Sequence, residues 1–206
     1  GVAVAGCMLA GTARAADGPV GERHLSAMVQ SATLRDAGHG AGVRVTVWYP
    51  AAKGAKEKSI DLGPGGQVFF REGAGAADAD FPDRKLRPVI LLSHGFGGTA
   101  GIMAWLALPL ARAGYVVVAV DHPGNNGRDT MTAAGATLFW ERAVDLAAAL
   151  KAAKADPVIG PHLDNTNVGL AGFSIGGFTA LVGAGARAAP ARLFEFCAAN
   201  PEDAIC

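Results

Sequence analysis

The stretch VGLAGFSIGG, residues 168–177, decides the fold that the sequence predicts. Its first six residues form an apolar run typical of a buried strand, and the residues after Ser174 suit the start of a helix. The pattern G-x-S-x-G between them requires a sharp turn that lifts the serine hydroxyl clear of the sheet. Glycine is expected at 172 and 176, because side chains there would collide across the turn, and at 177, where the helix packs close to the strand. Ser174 is therefore a candidate nucleophile.

The same order of strand and helix occurs twice more upstream. Apolar runs at 88–95 and 115–124 predict two further buried strands. Helices are predicted at 101–113, 137–153 and 175–187, with Gly114 as the stop of the first. Alternating strands and helices imply right-handed crossovers, so the sequence predicts an α/β fold: a mostly parallel sheet with helices on both faces.

The connecting segments carry weaker signals. Pro109 predicts a kink or a break in the helix at 101–113. Alternation of apolar and polar residues at 43–47 predicts a half-buried strand. Residues 51–85 are rich in Gly, Ala, Asp and Lys, and we expect a long excursion there with one short strand at 67–70.

The helix at 137–153 is the clearest amphipathic segment. Its predicted apolar stripe consists of Leu138, Val144, Leu146, Ala147 and Leu150, and its predicted exposed side carries Glu141, Arg142, Asp145 and Lys151. Asp145 is expected to pair with surface charges of the same helix. The aromatic residues Trp105, Phe139 and Trp140 are expected to pack in the core or under a loop, with a pocket role for Phe96 or Trp105 as the alternative.

The glycine-rich stretch SHGFGG, residues 93–98, ends the first predicted parallel strand. An acyl-transfer enzyme needs donors aimed at the oxygen that becomes an oxyanion, and backbone amides of a glycine-rich turn supply them. We assign these donors to the amides of Phe96 and Ile175. The alternative is an ordinary glycine-rich strand exit.

A nucleophilic serine also needs a base and a carboxylate that orients it. No histidine follows Ser174 in the 206 residues; the five histidines are His24, His39, His94, His122 and His162. His94 and His122 end parallel strands at the edge where sites form, so they are candidates to border the pocket. His94 is expected to brace the oxyanion turn, with a role as base as the lesser alternative. Asp203 is the weak candidate for the acid.

Composition excludes several classes of function. Lys plus Arg and Asp plus Glu number 18 each, so the basic surface of a nucleic-acid binder is not expected. No metal-ligand spacing, P-loop or dinucleotide fingerprint is present, and no cofactor or metal is expected. The predicted partner is a small molecule. The sequence gives no indication of an oligomeric state.

The first 16 residues differ from the rest. An uncharged apolar run is followed by an A-x-A pattern at 13–15, as in the core and cleavage site of a secretory signal. We expect 1–16 to be a signal remnant that is too short to span a membrane, and 17–206 to be the N-terminal portion of one domain. A buried first helix is one alternative, and lipid anchoring at Cys7 is another.

Export permits disulfide bonds. Without the signal, Cys197 and Cys206 remain, and they could close a small ring; free buried thiols are the alternative. The predicted location is the periplasm or the outside of the cell.

Three motifs in this order and spacing, HGFGG, GYVVVAVDHPG and GFSIGG, resemble the α/β-hydrolase superfamily. Within this superfamily, the sequence is most similar to bacterial dienelactone-hydrolase-like proteins related to platelet-activating-factor acetylhydrolase. VRVTVWYPA, DLGPGGQVFF and FCAANPEDAIC fit that group, and the resemblance covers residues 25–206. The motif glycines are Gly95, Gly97, Gly98, Gly172, Gly176 and Gly177.

The resemblance implies an esterase that acts through an acyl-enzyme on Ser174, with short-acyl, lactone or phospholipid-like substrates. In that fold the acid and the histidine follow the serine in the chain. We therefore expect them, with the last strands of the sheet, beyond Cys206, and we expect residues 1–206 alone to be inactive. An amidase or peptidase on the same fold and a catalytically dead binding domain are the alternatives.

Overall fold

Seven strands form one sheet in the computed structural model, which describes residues 18–29, 42–63, 67–187, 189–204 and 206. The strands are β1 Val20–Ala27, β2 Val43–Pro50, β3 Lys58–Leu62, β4 Phe70–Ala77, β5 Arg87–Ser93, β6 Val116–Asp121 and β7 Leu163–Gly172. Their order in space is β3-β4-β1-β2-β6-β5-β7. The predicted signal, residues 1–16, and His39 lie outside the described part of the chain.

The sheet is mixed. β6, β5 and β7 run parallel, as their apolar runs predict, whereas β2 is antiparallel to both β1 and β6. The parallel half carries the candidate site, because its three strands end at one edge. β7 has a single described neighbour, β5, so it forms an edge of the sheet.

The helices are α1 Ala104–Arg112, α2 Ala133–Thr137, α3 Arg142–Ala155, α4 Ile175–Gly183 and α5 Pro190–Ala199. Short 3₁₀ turns lie at Gly101–Met103, Phe139–Glu141 and Gly160–His162. The predicted break at Pro109 is wrong, since α1 continues through it. The helix predicted from residue 137 begins only at Arg142, after the 3₁₀ turn.

Both faces of the sheet are covered, as predicted, and β6 shows why its sequence is continuously apolar. Val118 packs with Leu146 of α3 on one face, while Val117 packs with Met103 and Leu108 at α1 on the other. All six β6 residues are buried. A strand buried on both faces cannot alternate apolar and polar residues.

The prediction of one short strand at 67–70 is wrong: this excursion contains two strands, β3 and β4, and of residues 67–70 only Phe70 lies in a strand. β3 pairs antiparallel with β4, and β4 lies beside β1. β4 has the sequence FREGAGAA, whose small residues give no alternating signal. A Cβ on Gly75 would lie 2.6 Å from Glu22 Oε2 of β1, so a larger residue there would displace the Glu22 carboxylate. β1 itself was not predicted.

Candidate active site

Ser174 sits at the sharp turn between β7 and α4. Its backbone has φ 55° and ψ −123°, a conformation that a residue with a side chain rarely adopts, and the residue is exposed. A Cβ on Gly172 would lie 2.1 Å from the Gly176 carbonyl oxygen, and one on Gly176 would lie 2.1 Å from the Ser93 carbonyl oxygen. The turn therefore requires glycine at both positions, although Gly176 faces β5 rather than residue 172.

The expectation for Gly177 is wrong. A Cβ there would have its nearest neighbour, the Gly172 carbonyl oxygen, at 3.7 Å. That is an ordinary van der Waals distance, so the space beside the strand accepts a methyl group at this position.

The glycine-rich turn at 95–98, called the oxyanion turn after its predicted role, lies against this serine. A Cβ built on Gly95 would be 3.5 Å from the Ser174 Cβ and 3.2 Å from Cδ1 of Phe173. The Gly97 amide donates to Asn125 Oδ1 at 2.8 Å, and the Gly98 amide donates to the Gly95 carbonyl. Both are therefore committed to acceptors within the protein.

The amides of Phe96 and Ile175 differ from these two. Neither has a hydrogen-bond acceptor among the residues that the structure describes. The Ile175 amide also opens α4, where the helix dipole favours negative charge. The two assigned donors are thus unoccupied and belong to the two turns that meet at Ser174.

His94 is buried directly behind the oxyanion turn. Its Nε2 accepts the His122 amide at 3.1 Å, so the neutral ring carries its proton on Nδ1, which donates to the Gly95 carbonyl at 2.6 Å. Burial, together with the charge of Arg142, lowers the pKa of His94 to about 4. With both nitrogens engaged, His94 has no free lone pair for Ser174.

A second serine forms a hydrogen-bonded Ser–His–Asp group inside the protein. Ser93 Oγ lies 2.8 Å from His122 Nε2, and His122 Nδ1 lies 2.8 Å from Asp145 Oδ2. The three residues are 0%, 1% and 1% exposed. Burial, with the charges of Arg142 and His94, lowers the pKa of His122 well below its ordinary value. Burial raises the pKa of Asp145 to about 8, against the opposing effect of Arg142.

These positions correct two predictions. His94 and His122 do not border a pocket, because both side chains are buried beneath the turn. Asp145 is not a surface residue that pairs with neighbouring charges, since it is buried against His122. The strand ends do meet at one edge, as predicted, but these side chains point beneath the turns rather than out of them.

Arg142 is also buried, at 2% exposure, although the sequence placed it on the exposed side of its helix. Its Nη2 donates to the His94 carbonyl and lies 3.5 Å from Ser93 Oγ. Burial, which the charge of Asp145 opposes, lowers the pKa of Arg142 to about 10. It thus stays charged at neutral pH.

The helical spacing could have revealed this face. Arg142, Asp145, Leu146, Ala149 and Ala153 recur every three or four residues, and all are buried. Val144, assigned to the apolar stripe, is 48% exposed. Of the predicted stripe only Leu146 is fully buried, because Leu138 precedes the helix and because the two charged residues argued against burial of the face that they share with Leu146.

The remaining base and acid candidates lie elsewhere. His24 contacts Glu22 and Thr46 on β1 and β2, and His162 stacks on Phe81 at the start of β7, the opposite end from Ser174. Among the described residues, no histidine hydrogen-bonds to Ser174 Oγ. Asp203 lies in the loop closed by the disulfide.

Several aromatic side chains are exposed rather than packed in the core. Trp105 and Trp140, expected in the core, are more than half exposed, and so are Phe96 and Phe173 beside the two turns. Phe139 is half-buried. The protein therefore presents an aromatic surface near Ser174, from residues on both turns.

The structure contains the predicted disulfide between Cys197 and Cys206. It links the last turn of α5 to the residues after it. Within the described ranges, no group of three or more His, Cys, Asp or Glu side chains is arranged to hold a metal ion. No helix among the described residues has the length and apolarity needed to cross a membrane.

The sequence matches one family model, and the structure is similar to that of a known esterase. A family model described as "Serine aminopeptidase, S33" matches residues 84–201, which include both turns and the buried network. The structure of a ferulic acid esterase from Streptomyces cinnamoneus is similar, with 26% sequence identity and a TM-score of 0.66. That alignment covers 82% of this chain and 56% of the esterase, so the chain spans just over half of its length. No curated protein sequence matches significantly. The chain belongs to the serine aminopeptidase S33 family, within the α/β-hydrolase superfamily.

Proposed function

We propose that this chain carries the nucleophile and the oxyanion site of a serine hydrolase that cleaves carboxylic esters. One observation carries the proposal: Ser174 is exposed, is held at φ 55°, and lies between two turns whose Phe96 and Ile175 amides have no described acceptor. Strained backbone and unengaged polar groups are costly, and they are retained where function uses them.

The chemistry follows from these groups. Ser174 Oγ loses its proton to a base and attacks the ester carbonyl, whose oxygen becomes an anion held by the Phe96 and Ile175 amides. The alcohol leaves with a proton, and an acyl-enzyme remains on Ser174. Water then attacks the acyl carbonyl and releases the acid, which restores the serine. No step requires a cofactor.

The base for Ser174 is proposed to come from chain outside residues 1–206. Two observations support this. No described histidine reaches Ser174 Oγ, and the chain spans 56% of the esterase to which it is similar. Under this proposal residues 1–206 form the first part of one hydrolase domain, and they have little activity by themselves.

The substrates we propose are short-acyl, lactone or phospholipid-like esters, in line with the dienelactone-hydrolase-like resemblance. The exposed rings of Phe96 and Phe173 beside the serine suit an apolar or aromatic substituent. The disulfide is compatible with an oxidising compartment, and it supports the proposed location in the periplasm or outside the cell.

A second candidate activity is amide cleavage. The matching family is described as serine aminopeptidase, whereas the similar structure is an esterase. The nucleophile and the oxyanion donors serve both reactions, so the described residues do not discriminate between them. A non-catalytic binding domain is the third candidate, because the described residues supply no base for Ser174.

The test compares ester and amide cleavage by the complete gene product. We expect turnover of p-nitrophenyl acetate that exceeds turnover of an aminoacyl p-nitroanilide, and a fluorophosphonate probe that labels Ser174 in peptide mapping. Preference for the anilide would favour the peptidase. Absence of labelling in the folded complete protein would reject both enzymes and leave the binding domain.

A further inference from the structure

The buried group around Ser93 has no part in the chemistry proposed for Ser174. It joins the ends of two strands to one helix: Ser93 ends β5, His122 follows β6, and Arg142 and Asp145 lie on α3. Buried ionisable side chains cost free energy unless they are paired, and retained ones can fix a single geometry. A network this closed to solvent calls for a role other than reaction with substrate.

The network contacts the oxyanion turn from behind. Arg142 Nη2 donates to the carbonyl of His94, which precedes the turn, and the His94 ring accepts the amide of His122. From the other side, Asn125 holds the Gly97 amide and Asp121 holds the Ala100 amide. The backbone from 94 to 100 is thereby fixed on both sides of Phe96.

We propose that Arg142, which contacts the Ser93–His122–Asp145 group through Ser93 Oγ, is a positioning residue that orients the Phe96 amide toward the oxyanion. This inference rests on the proposed function of Ser174. The guanidinium holds the carbonyl of the His94–Gly95 peptide, and the His94 ring and the Gly98 amide hold the carbonyl of the next peptide, which carries the Phe96 N–H. Arg142 does not touch substrate.

The geometry explains why arginine is used. Its planar group directs Nη2 at the His94 carbonyl, and the same nitrogen lies 3.5 Å from Ser93 Oγ. Lysine would keep the charge but lose this fixed direction.

The test uses Arg142→Lys in the complete gene product, with p-nitrophenyl acetate and its thiono analogue, in which sulfur replaces the carbonyl oxygen. Sulfur is a weak acceptor, so the preference for the oxygen ester reports on the oxyanion donors. We expect kcat for the oxygen ester to fall about 10- to 100-fold, with KM within about twofold, and the oxygen-to-sulfur preference to fall with kcat.

Arg87→Lys is the matched control. Arg87 is buried and donates to a backbone carbonyl, that of Lys85, but at the opposite end of the same strand β5. We expect both variants to lose stability and only Arg142→Lys to change the oxygen-to-sulfur preference. An unchanged preference in Arg142→Lys, or an equal change in Arg87→Lys, overturns the proposal.

A second readout does not depend on activity. Hydrogen exchange of the Gly97 and Gly98 amides is measured on the complete gene product, and we expect at least tenfold faster exchange in Arg142→Lys than in Arg87→Lys. Unchanged exchange overturns the positioning role even if the enzyme is active. Lack of turnover by wild-type protein, with the expected exchange, rejects the proposed function alone.

Discussion

Ser93 and Ser174 lie at the ends of two neighbouring strands, β5 and β7, and they have opposite environments. Ser93 has a histidine and a carboxylate in hydrogen-bonded sequence but is 0% exposed. Ser174 is exposed and strained, and it lies beside unengaged amides, but no described histidine contacts it. The Ser93 carbonyl accepts the Phe173 amide at 3.2 Å, so the buried serine supports the turn that presents the exposed one.

A hydrogen-bonded Ser–His–Asp arrangement is therefore insufficient evidence of catalysis. A nucleophile needs an approach for the substrate and a place for the oxyanion, and Ser93 has neither. Ser174 is exposed and lies beside the Phe96 and Ile175 amides, which have no described acceptor. The arrangement of Ser93, His122 and Asp145 satisfies buried polar groups, which is the more frequent reason for such networks in protein interiors.

The largest effect that separates the two serines is expected from Ser174→Ala. In the complete gene product, labelling by a fluorophosphonate and ester turnover should fall at least about 1,000-fold, because the attacking oxygen is lost. Mass spectrometry of labelled peptides and initial-rate kinetics measure this. Labelling that moves to Ser93 would overturn the assignment of the nucleophile.

The close approach of α4 to the Ser93 carbonyl is tested by Gly176→Ala. The new Cβ would lie 2.1 Å from the Ser93 carbonyl oxygen, so the backbone of α4 or of β5 would have to move. We expect a loss of at least about 2 kcal/mol in the free energy of unfolding, measured by urea denaturation. Gly177→Ala is the control, with 3.7 Å of space, and it should change stability by less than about 1 kcal/mol. Equal losses would contradict the contact.

The buried residues His94, His122 and Asp145 are expected to make the stability of the protein sensitive to acid. The lowered pKa values of His94 and His122 mean that, as pH falls from about 6.5 toward 4, the unfolded chain binds two protons that the native protein does not. Asp145, with its pKa raised to about 8, holds one proton that the unfolded chain releases, which offsets one of them. Stability should therefore decrease by about 1.4 kcal/mol per pH unit on acidification.

Urea midpoints at pH 6.5, 5.5 and 4.5 measure this slope. His24→Gln is the control: a hydrogen bond to Glu22 raises the pKa of His24, so its titration contributes the opposite sign. The acid loss should persist or steepen in that variant. Stability that stays constant from pH 6.5 to 4.5 would contradict the burial of neutral histidines beneath the turn.

The smallest effect is expected from Ser93→Ala. It should cost about 1 kcal/mol of stability, because one buried hydrogen bond is lost, and it should retain at least about a third of the labelling rate at Ser174. Thermal unfolding and a labelling time course measure both. A loss as large as that of Ser174→Ala would mean that the buried group takes part in the chemistry.

The two sites also differ in how far the sequence predicts them. The turn at Ser174 is local: strand, two glycines, serine and helix lie within ten residues, and steric rules link them directly. β6 was predicted for a similar reason, since burial on both faces leaves a continuous apolar run. β4 was not predicted because it is rich in glycine and alanine, so its sequence shows no alternation of apolar and polar residues.

The network at Ser93 is not local, and the sequence did not predict it. It depends on which face of α3 meets the sheet and on the ends of β5 and β6, which are distant from α3 in the chain. Charged residues such as Arg142 and Asp145 are expected at the surface by default. Only their spacing relative to Leu146 and Ala149 indicated otherwise.

The parallel pairing of β5 with β7 has a consequence for folding. Ser93 lies opposite Gly172, and these two residues are distant in the chain. The conformation of Ser174 depends on that pairing, because the Ser93 carbonyl and the glycines of the turn must come together. Non-local parallel pairs form late, since their loop closure must precede any gain from contact. A partly folded chain would thus not present its nucleophile, and reactivity would be acquired with one of the last steps of folding.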